Sequence, residues 1–200
     1  MVGDLCNVQM GMTMRGRLDA AEHGATPVLQ LRDVNPSGVI DWRSVARAEV
    51  DNRRGRYLVG PGDLVFRSRG ERSTAAVVNP DNDEAAFVVA PLMILRLKTE
   101  LVSAAYLAWA INQAPVQRQF DEEAQGTNLR MVSKTTLEKV SIAVPDHDTQ
   151  RRILEVDALA GREQALSQQL SEKQCDLVRR LLTDRAALGK QHRAAERISK

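Results

Sequence analysis

From Asp148 to Leu188 the chain has no proline and a single glycine, Gly161, and Gln, Glu, Arg, Ala and Leu dominate it. Straight-chain residues and alanine lose little freedom in a helix, so this composition commits the stretch to one long helix. Asp146 or Asp148 can cap it, because a short carboxylate accepts from the free amides of a first turn. Ile153, Val156, Ala160, Leu166, Leu170, Leu177, Leu181 and Leu188 recur mostly at steps of three, four or seven, a narrow stripe of the kind a coiled-coil seam needs. At about 1.5 Å per residue the helix runs roughly 60 Å. That exceeds the width of a small domain, so the stripe calls for a partner helix, with Ile153, Val156, Leu166, Leu170, Leu177 and Leu181 as the dimerisation residues. The alternative is an αα-hairpin folded at Gly161, although one glycine in a helix costs only about 1 kcal/mol.

Before Pro145 the texture is different. Short β-prone runs alternate with Gly, Pro, Asn and Asp: PVLQL (27–31), GVI (38–40), RYLV (56–59), DLVFR (63–67), TAAVV (74–78), AAFVVA (85–90), LMILRL (92–97) and VSIAV (140–144). NPSG, VGPG and NPDND supply turn chemistry between them. One helical segment interrupts the pattern at 102–120, and Pro115 should divide it in two. The 200 residues, 43% of them hydrophobic, suffice for one domain with an appendage or for two small domains. The reading is α+β: a β-rich mixed domain over 1–145, followed over 146–200 by a long spacer and dimerisation helix with a basic tail.

A net charge of +2 does not by itself indicate a polyanion as partner, but the charges are unevenly placed. Arg53, Arg54, Arg56, Arg67, Arg69 and Arg72 crowd one region, while acids gather at 81–84 and 121–123. The stretch PGDLVFRSRGERS (61–73) ends a predicted strand in three arginines. Three explanations stand beside one another: a catalytic arginine set, a grip on an anion or nucleic acid, or a solvated hairpin tip. Catalysis lacks its usual company. His23, His147 and His192 have no metal-ligating spacing, Cys6 and Cys175 have no CxxC partner, and neither a nucleophile elbow nor a phosphate-binding glycine loop follows a strand. No catalytic residue, metal or cofactor is expected. The apolar runs fall far short of the roughly 20 residues that cross a bilayer, and the first residues lack a signal pattern, so a cytoplasmic location without membrane association is expected.

Several motifs then fall into a recognisable order: VGDLCNVQMG (2–11), LRDVNPSGVID (31–41), GPGDLVFRSRG (60–70), the run from Tyr106 to Pro145, and PDHDTQRRI (145–153). In this order they resemble one half of the specificity (S) subunit of type I restriction-modification systems. Within the fourth, Gln125, Gly126, Thr127, Ser133, Leu137, Ile142, Val144 and Pro145 match the family pattern. In the fifth, Pro145, Gln150 and Ile153 match, while Asp146 replaces a second proline and Thr149 a glutamate. A full S subunit carries two target recognition domains and two long helices packed antiparallel as a spacer. This chain has one of each.

The resemblance implies a non-catalytic recognition protein. It would bind double-stranded DNA at a bipartite site, direct a partner DNA methyltransferase and in some systems a restriction or translocase subunit, and act as an antiparallel homodimer of half-subunits in phage defence. Two copies about a two-fold axis would read inverted half-sites, one to two helical turns apart at about 34 Å per turn. The leading DNA contacts are Arg67, Ser68, Arg69 and Arg72 on the hairpin. Thr127, Asn128, Arg130 and Lys134 follow on the loop GTNLRMVSK, and Arg53, Arg54 and Arg56 come third. For each set the bland alternative is a solvated turn or a local salt bridge. Two rival functions also stand: a specificity module of another modification-linked defence system, and a non-DNA-binding adaptor or decoy that occupies the methyltransferase.

Overall fold

A computed structural model describes residues 1–13, 26–50, 52–80, 84–123 and 131–198, the side chains of 52–54 and 187–198 excepted. It divides into two compact units, Met1–Leu154 and Glu155–Lys200.

The first unit is built on two four-stranded sheets. One is antiparallel throughout, in the order β1 (Cys6–Met10), β8 (Leu92–Leu97), β5 (Leu64–Arg67), β6 (Thr74–Val77). The other has the order β3 (Ala46–Ala48), β2 (Thr26–Leu29), β7 (Ala86–Val88), β4 (Leu58–Val59), and only its β2–β7 pair is parallel. A short helix, α1 (Val2–Leu5), precedes these strands, and α2 (Ala104–Asn112), α3 (Ala114–Glu123) and α4 (Lys134–Lys139) follow them.

Alternation along the strands of the first sheet assigns its two faces. Leu64, Phe66, Met93 and Leu95 join the core formed with the helices, which contribute Tyr106, Leu107, Ile111, Val116, Phe120 and Leu137. Their neighbours Val65, Leu92 and Ile94 point the other way, into a core shared with Leu29, Val59, Ala86 and Val88 of the second sheet. This sheet is therefore buried on both faces, which explains why LVF and LMIL read as continuous apolar runs. The far face of the second sheet carries a smaller cluster of Met12, Val28, Ala48, Phe87 and Val89.

Helix boundaries follow local chemistry. Ser103 caps α2 by accepting from the Tyr106 amide at 3.2 Å, and α2 and α3 divide at Gln113, two residues before Pro115. Among the expected strands, 38–40 contributes only an isolated bridge between Ile40 and Val34, and 140–144 forms no ladder. That segment's backbone groups are satisfied elsewhere: the Ser141 amide donates to Gln119 Oε1 at 3.1 Å, and the Ala143 carbonyl accepts from the Tyr106 hydroxyl at 3.0 Å.

The long helix, α5, spans His147–Ile198. Asp146 accepts from both the amide and the hydroxyl of Thr149, each at 2.9 Å, and these bonds hold its carboxyl below the ordinary carboxylate range. Within the first unit, Gln150 is fully buried. Its Oε1 accepts from the Ser103 amide at 3.0 Å, and its Nε2 donates to the carbonyls of Leu101 and Pro145 at 2.8 and 2.9 Å. Ile153 and Leu154 pack on the helix-side core. Ile153, expected in the outward seam, is thus partly buried against the core of its own unit, and only its remaining surface is open to a partner helix. In the second unit every described side chain, from Glu155 to Ala186, is exposed. The helix continues unbroken through Gly161, so no hairpin forms there. No helix among the described residues is long and apolar enough to cross a membrane.

Candidate nucleic-acid interface

The β5–β6 hairpin delivers the arginine cluster, but its three arginines meet three different fates. Strand pairing sets Arg67 opposite Thr74 and Leu92 at the end of the ladder. Its guanidinium turns back on the protein: Nε donates to the Arg69 carbonyl at 3.0 Å and Nη1 to the Val34 carbonyl at 2.7 Å. Arg69 and Arg72 are exposed. Arg69 Nε reaches Met131 Sδ at 3.0 Å, and one Nη of Arg72 donates to the Asn112 carbonyl. An arginine has five N–H donors, so both keep most of theirs for a ligand. Ser68 is 1% exposed and donates to the Pro91 carbonyl at 2.6 Å. Its expected role in contacting DNA is corrected, since its hydroxyl faces the interior.

The second expected set is reached only in part. Thr127, Asn128 and Arg130 lie outside the described residues. The segment that follows them, however, is joined to the hairpin: Arg69 and Met131 form an antiparallel bridge, and the Val132 amide donates to the Ser68 carbonyl at 2.9 Å. Lys134 is the first residue of α4 rather than part of a loop, because Ser133 caps that helix by accepting from the Thr136 amide at 3.0 Å. Lys134 is half exposed and 3.6 Å from Glu138.

The third set stands apart. The side chains of Arg53 and Arg54 are outside the description. Arg56 lies over the Tyr57 ring at 4.7 Å, and its carbonyl accepts from Arg96 at 3.2 Å. Arg96 stands four residues along β8 from Leu92, the partner of Arg67, roughly 13 Å away at the rise of a strand. Arg47, also in this basic region, is paired with Glu84 at 2.5 and 3.1 Å.

The structure adds residues that the sequence did not single out. The loop 35–38, the hairpin tip and the start of α3 surround an open groove of about 540 Å³. Ser37, Glu71, Arg72, Gln117, Arg118 and Asp121 line it. Asn112 fixes the arrangement, exchanging two 2.8 Å hydrogen bonds with the backbone of Ala75. Gly38 sits against the same pair at φ +78°, and a Cβ there would come within 2.5 Å of Asn112 Nδ2 and 2.6 Å of the Ala75 carbonyl. Gln117 Nε2 donates to the Ser73 and Ile111 carbonyls, both at 2.9 Å. A groove lined by both signs of charge and by amide and hydroxyl groups suits base edges, which present donors and acceptors alike.

Two residues before the 35–38 loop, Asp33 is buried. Its Oδ2 accepts from the Gln30 amide at 2.8 Å and its Oδ1 is 3.6 Å from Arg32 Nε. Burial raises its carboxyl above the ordinary value of 3.8, against the opposing hydrogen bond from Gln30 and the charge of Arg32. Among the described residues no group of three or more His, Cys, Asp or Glu gathers to hold a metal ion.

No known protein family matches the sequence, and no curated protein does. The fold does have solved counterparts. A chain from a structure of the assembly and conformational transition of the type I R-M system matches with a TM-score of 0.64 at 20% identity, over 89% of this chain and 42% of that one. This chain has the fold of part of a type I S subunit. The HsdS subunit from Thermoanaerobacter tengcongensis matches with a TM-score of 0.57 at 19% identity, over 82% of this chain and 37% of its own. The type I S subunit from M. genitalium gives a TM-score of 0.53 at 12% identity, with 81% and 38% covered. The chain thus spans about two-fifths of the length of the S-subunit chains it matches.

Proposed function

We propose that the chain is a non-catalytic DNA specificity subunit of a type I restriction-modification system, equivalent to half of a full S subunit. Its fold likeness to S subunits over 82% and 81% of its length supports this reading. Residues 1–145 are the target recognition domain and 146–200 the spacer. Two copies pair through the exposed leucines of α5 to make the antiparallel spacer, present two inverted half-sites, and bring a methyltransferase subunit, with or without a restriction subunit, to the DNA.

Recognition is assigned to the hairpin tip and its neighbours. Arg69 and Arg72 reach for guanine edges or phosphates, Ser37 and Arg118 read from the adjoining groove with Gln117 Oε1 as an acceptor beside them, and Lys134 holds a phosphate. Thr127, Asn128 and Arg130 belong to the same set by their place in the chain. Arg53, Arg54 and Arg56 serve at most as phosphate contacts away from the tip. Base edges give sequence discrimination and phosphates give register and salt dependence.

A second reading is supported by the apolar stripe of α5: an adaptor that binds the methyltransferase and no DNA. Equilibrium binding to randomised duplexes over a range of salt distinguishes the two. Recognition predicts a sequence-selected duplex and a steep salt slope. It also predicts that Arg69→Ala with Arg72→Ala loses about 1–3 kcal/mol of discrimination for each bidentate base contact removed. An adaptor shows neither selection nor slope.

A further inference from the structure

Arg67 is less available to DNA than Arg69 and Arg72: it is only partly exposed and commits two donors to backbone carbonyls. A planar guanidinium fork can satisfy two separate acceptors at fixed angles, which an ammonium cannot. Here the fork joins the Val34 carbonyl, at the base of the 35–38 loop, to the Arg69 carbonyl, inside the hairpin tip. Gly70 is shaped around it. At φ +114° it occupies backbone space that favours glycine, and a Cβ there would lie 2.5 Å from Arg67 Nη2 and 3.1 Å from Nε. The tip is pinned from below by the Ser68 hydroxyl on the Pro91 carbonyl, and from the side by the Val132 amide on the Ser68 carbonyl. Arg69 is held from behind by Arg67 and from the side by its bridge to Met131. The exposed guanidinium of Arg69 therefore projects from a backbone fixed at several points.

We propose that Arg67 and Gly70 form a positioning device: Arg67 sets the DNA selectivity of the tip by orienting Arg69 and the 131–132 segment, without touching DNA. The proposal rests on the DNA-recognition reading. It differs from the simple expectation of three reading arginines, because it assigns a selectivity role to Gly70, which carries no side chain and no charge.

The test uses the full-length chain, its selected duplex and single-base variants of that duplex, over a range of salt. Arg67→Gln removes a charge and the fork, whereas Gly70→Ala leaves every charge in place and displaces the fork. The device predicts that each lowers discrimination between the selected duplex and its variants by on the order of tenfold. It predicts an unchanged salt slope in both, and no further loss in the double variant, since both act on one element. Amide exchange at Val132 in the free chain should quicken in both, reporting the loosened tip without DNA. A direct phosphate contact predicts otherwise: Arg67→Gln would lower the slope by about 0.9 while Gly70→Ala kept full selectivity, and that result overturns the proposal. Selective wild-type binding retained by both variants, or unchanged exchange at Val132, overturns it while leaving DNA recognition intact. A wild-type chain that selects no sequence overturns both.

Discussion

Replacing Leu170 and Leu177 by Asp on α5 should turn a dimer into a monomer, and the structure sets the size of the effect. The two leucines stand seven residues apart, two turns along one side of the helix, and are 58% and 57% exposed in the single chain. Full burial of a leucine side chain contributes about 1.5–3 kcal/mol. With roughly three-fifths of each still to be covered, pairing gains about 1–2 kcal/mol per leucine, or about 4–7 kcal/mol for the four leucines of a symmetric dimer. At about 1.4 kcal/mol per decade, the dissociation constant should rise by about three to five decades, and further for desolvating the new carboxylates. Both leucines are exposed in the single chain and belong to no core cluster, so the monomer should keep its fold and helical content, which circular dichroism checks. Sedimentation equilibrium on wild type and double variant reads the association directly. A wild-type chain that is monomeric at micromolar concentration would refute the seam, as would a double variant that dimerises as before.

The buried and exposed groups yield two further predictions. Burial pushes the Cys6 thiol up to about 11, and its Sγ lies 3.3 Å from the Val2 carbonyl, whereas Cys175 is exposed. One thiol per chain should therefore react with a disulfide reagent at pH 8 under native conditions, and the second only on unfolding; two fast thiols would contradict the packing. Asp33 carries a raised pKa, so the native state holds its proton to higher pH than the unfolded chain does. Its favourable contribution is complete below about 3.8, the unfolded value, and is lost as pH rises through the folded value. Asp33→Asn keeps an acceptor for Gln30 and cannot ionise, so its stability relative to wild type should rise over that window and then level off in urea melts. A constant difference across the window would show that Asp33 does not titrate abnormally.

Which features the sequence disclosed depended on the range of the interactions involved. The long helix was legible because its determinants are local: no proline, good helix formers, and a carboxylate at Asp146 that bonds three residues onward. The break near Pro115 and the strands LVFR and LMILRL were legible for the same reason. By contrast, β3 is three residues of ARA whose pairing depends on β2, and VSIAV has strand composition but gives its backbone bonds to Gln119 and Tyr106 from elsewhere in the chain. The candidate site was legible as a place and not as roles. Arg67, Arg69 and Arg72 look alike in the sequence, and what separates the first is its partial burial and its two bonds to the Val34 and Arg69 carbonyls, the former 33 residues upstream. Likewise Ser37, Gln117 and Arg118 carry no local signal. They become candidates because Asn112 and Gly38 draw three distant segments to one groove.

In the proposed function this chain tells a DNA methyltransferase where to act. Sequencing methylated bases in the DNA of a host, with the methyltransferase subunit present and this chain either supplied or deleted, tests it most directly. A methylated inverted repeat of two short identical half-sites, separated by a fixed run of unspecified bases, should appear only when the chain is supplied. Methylation patterns that are identical with and without it would exclude that function.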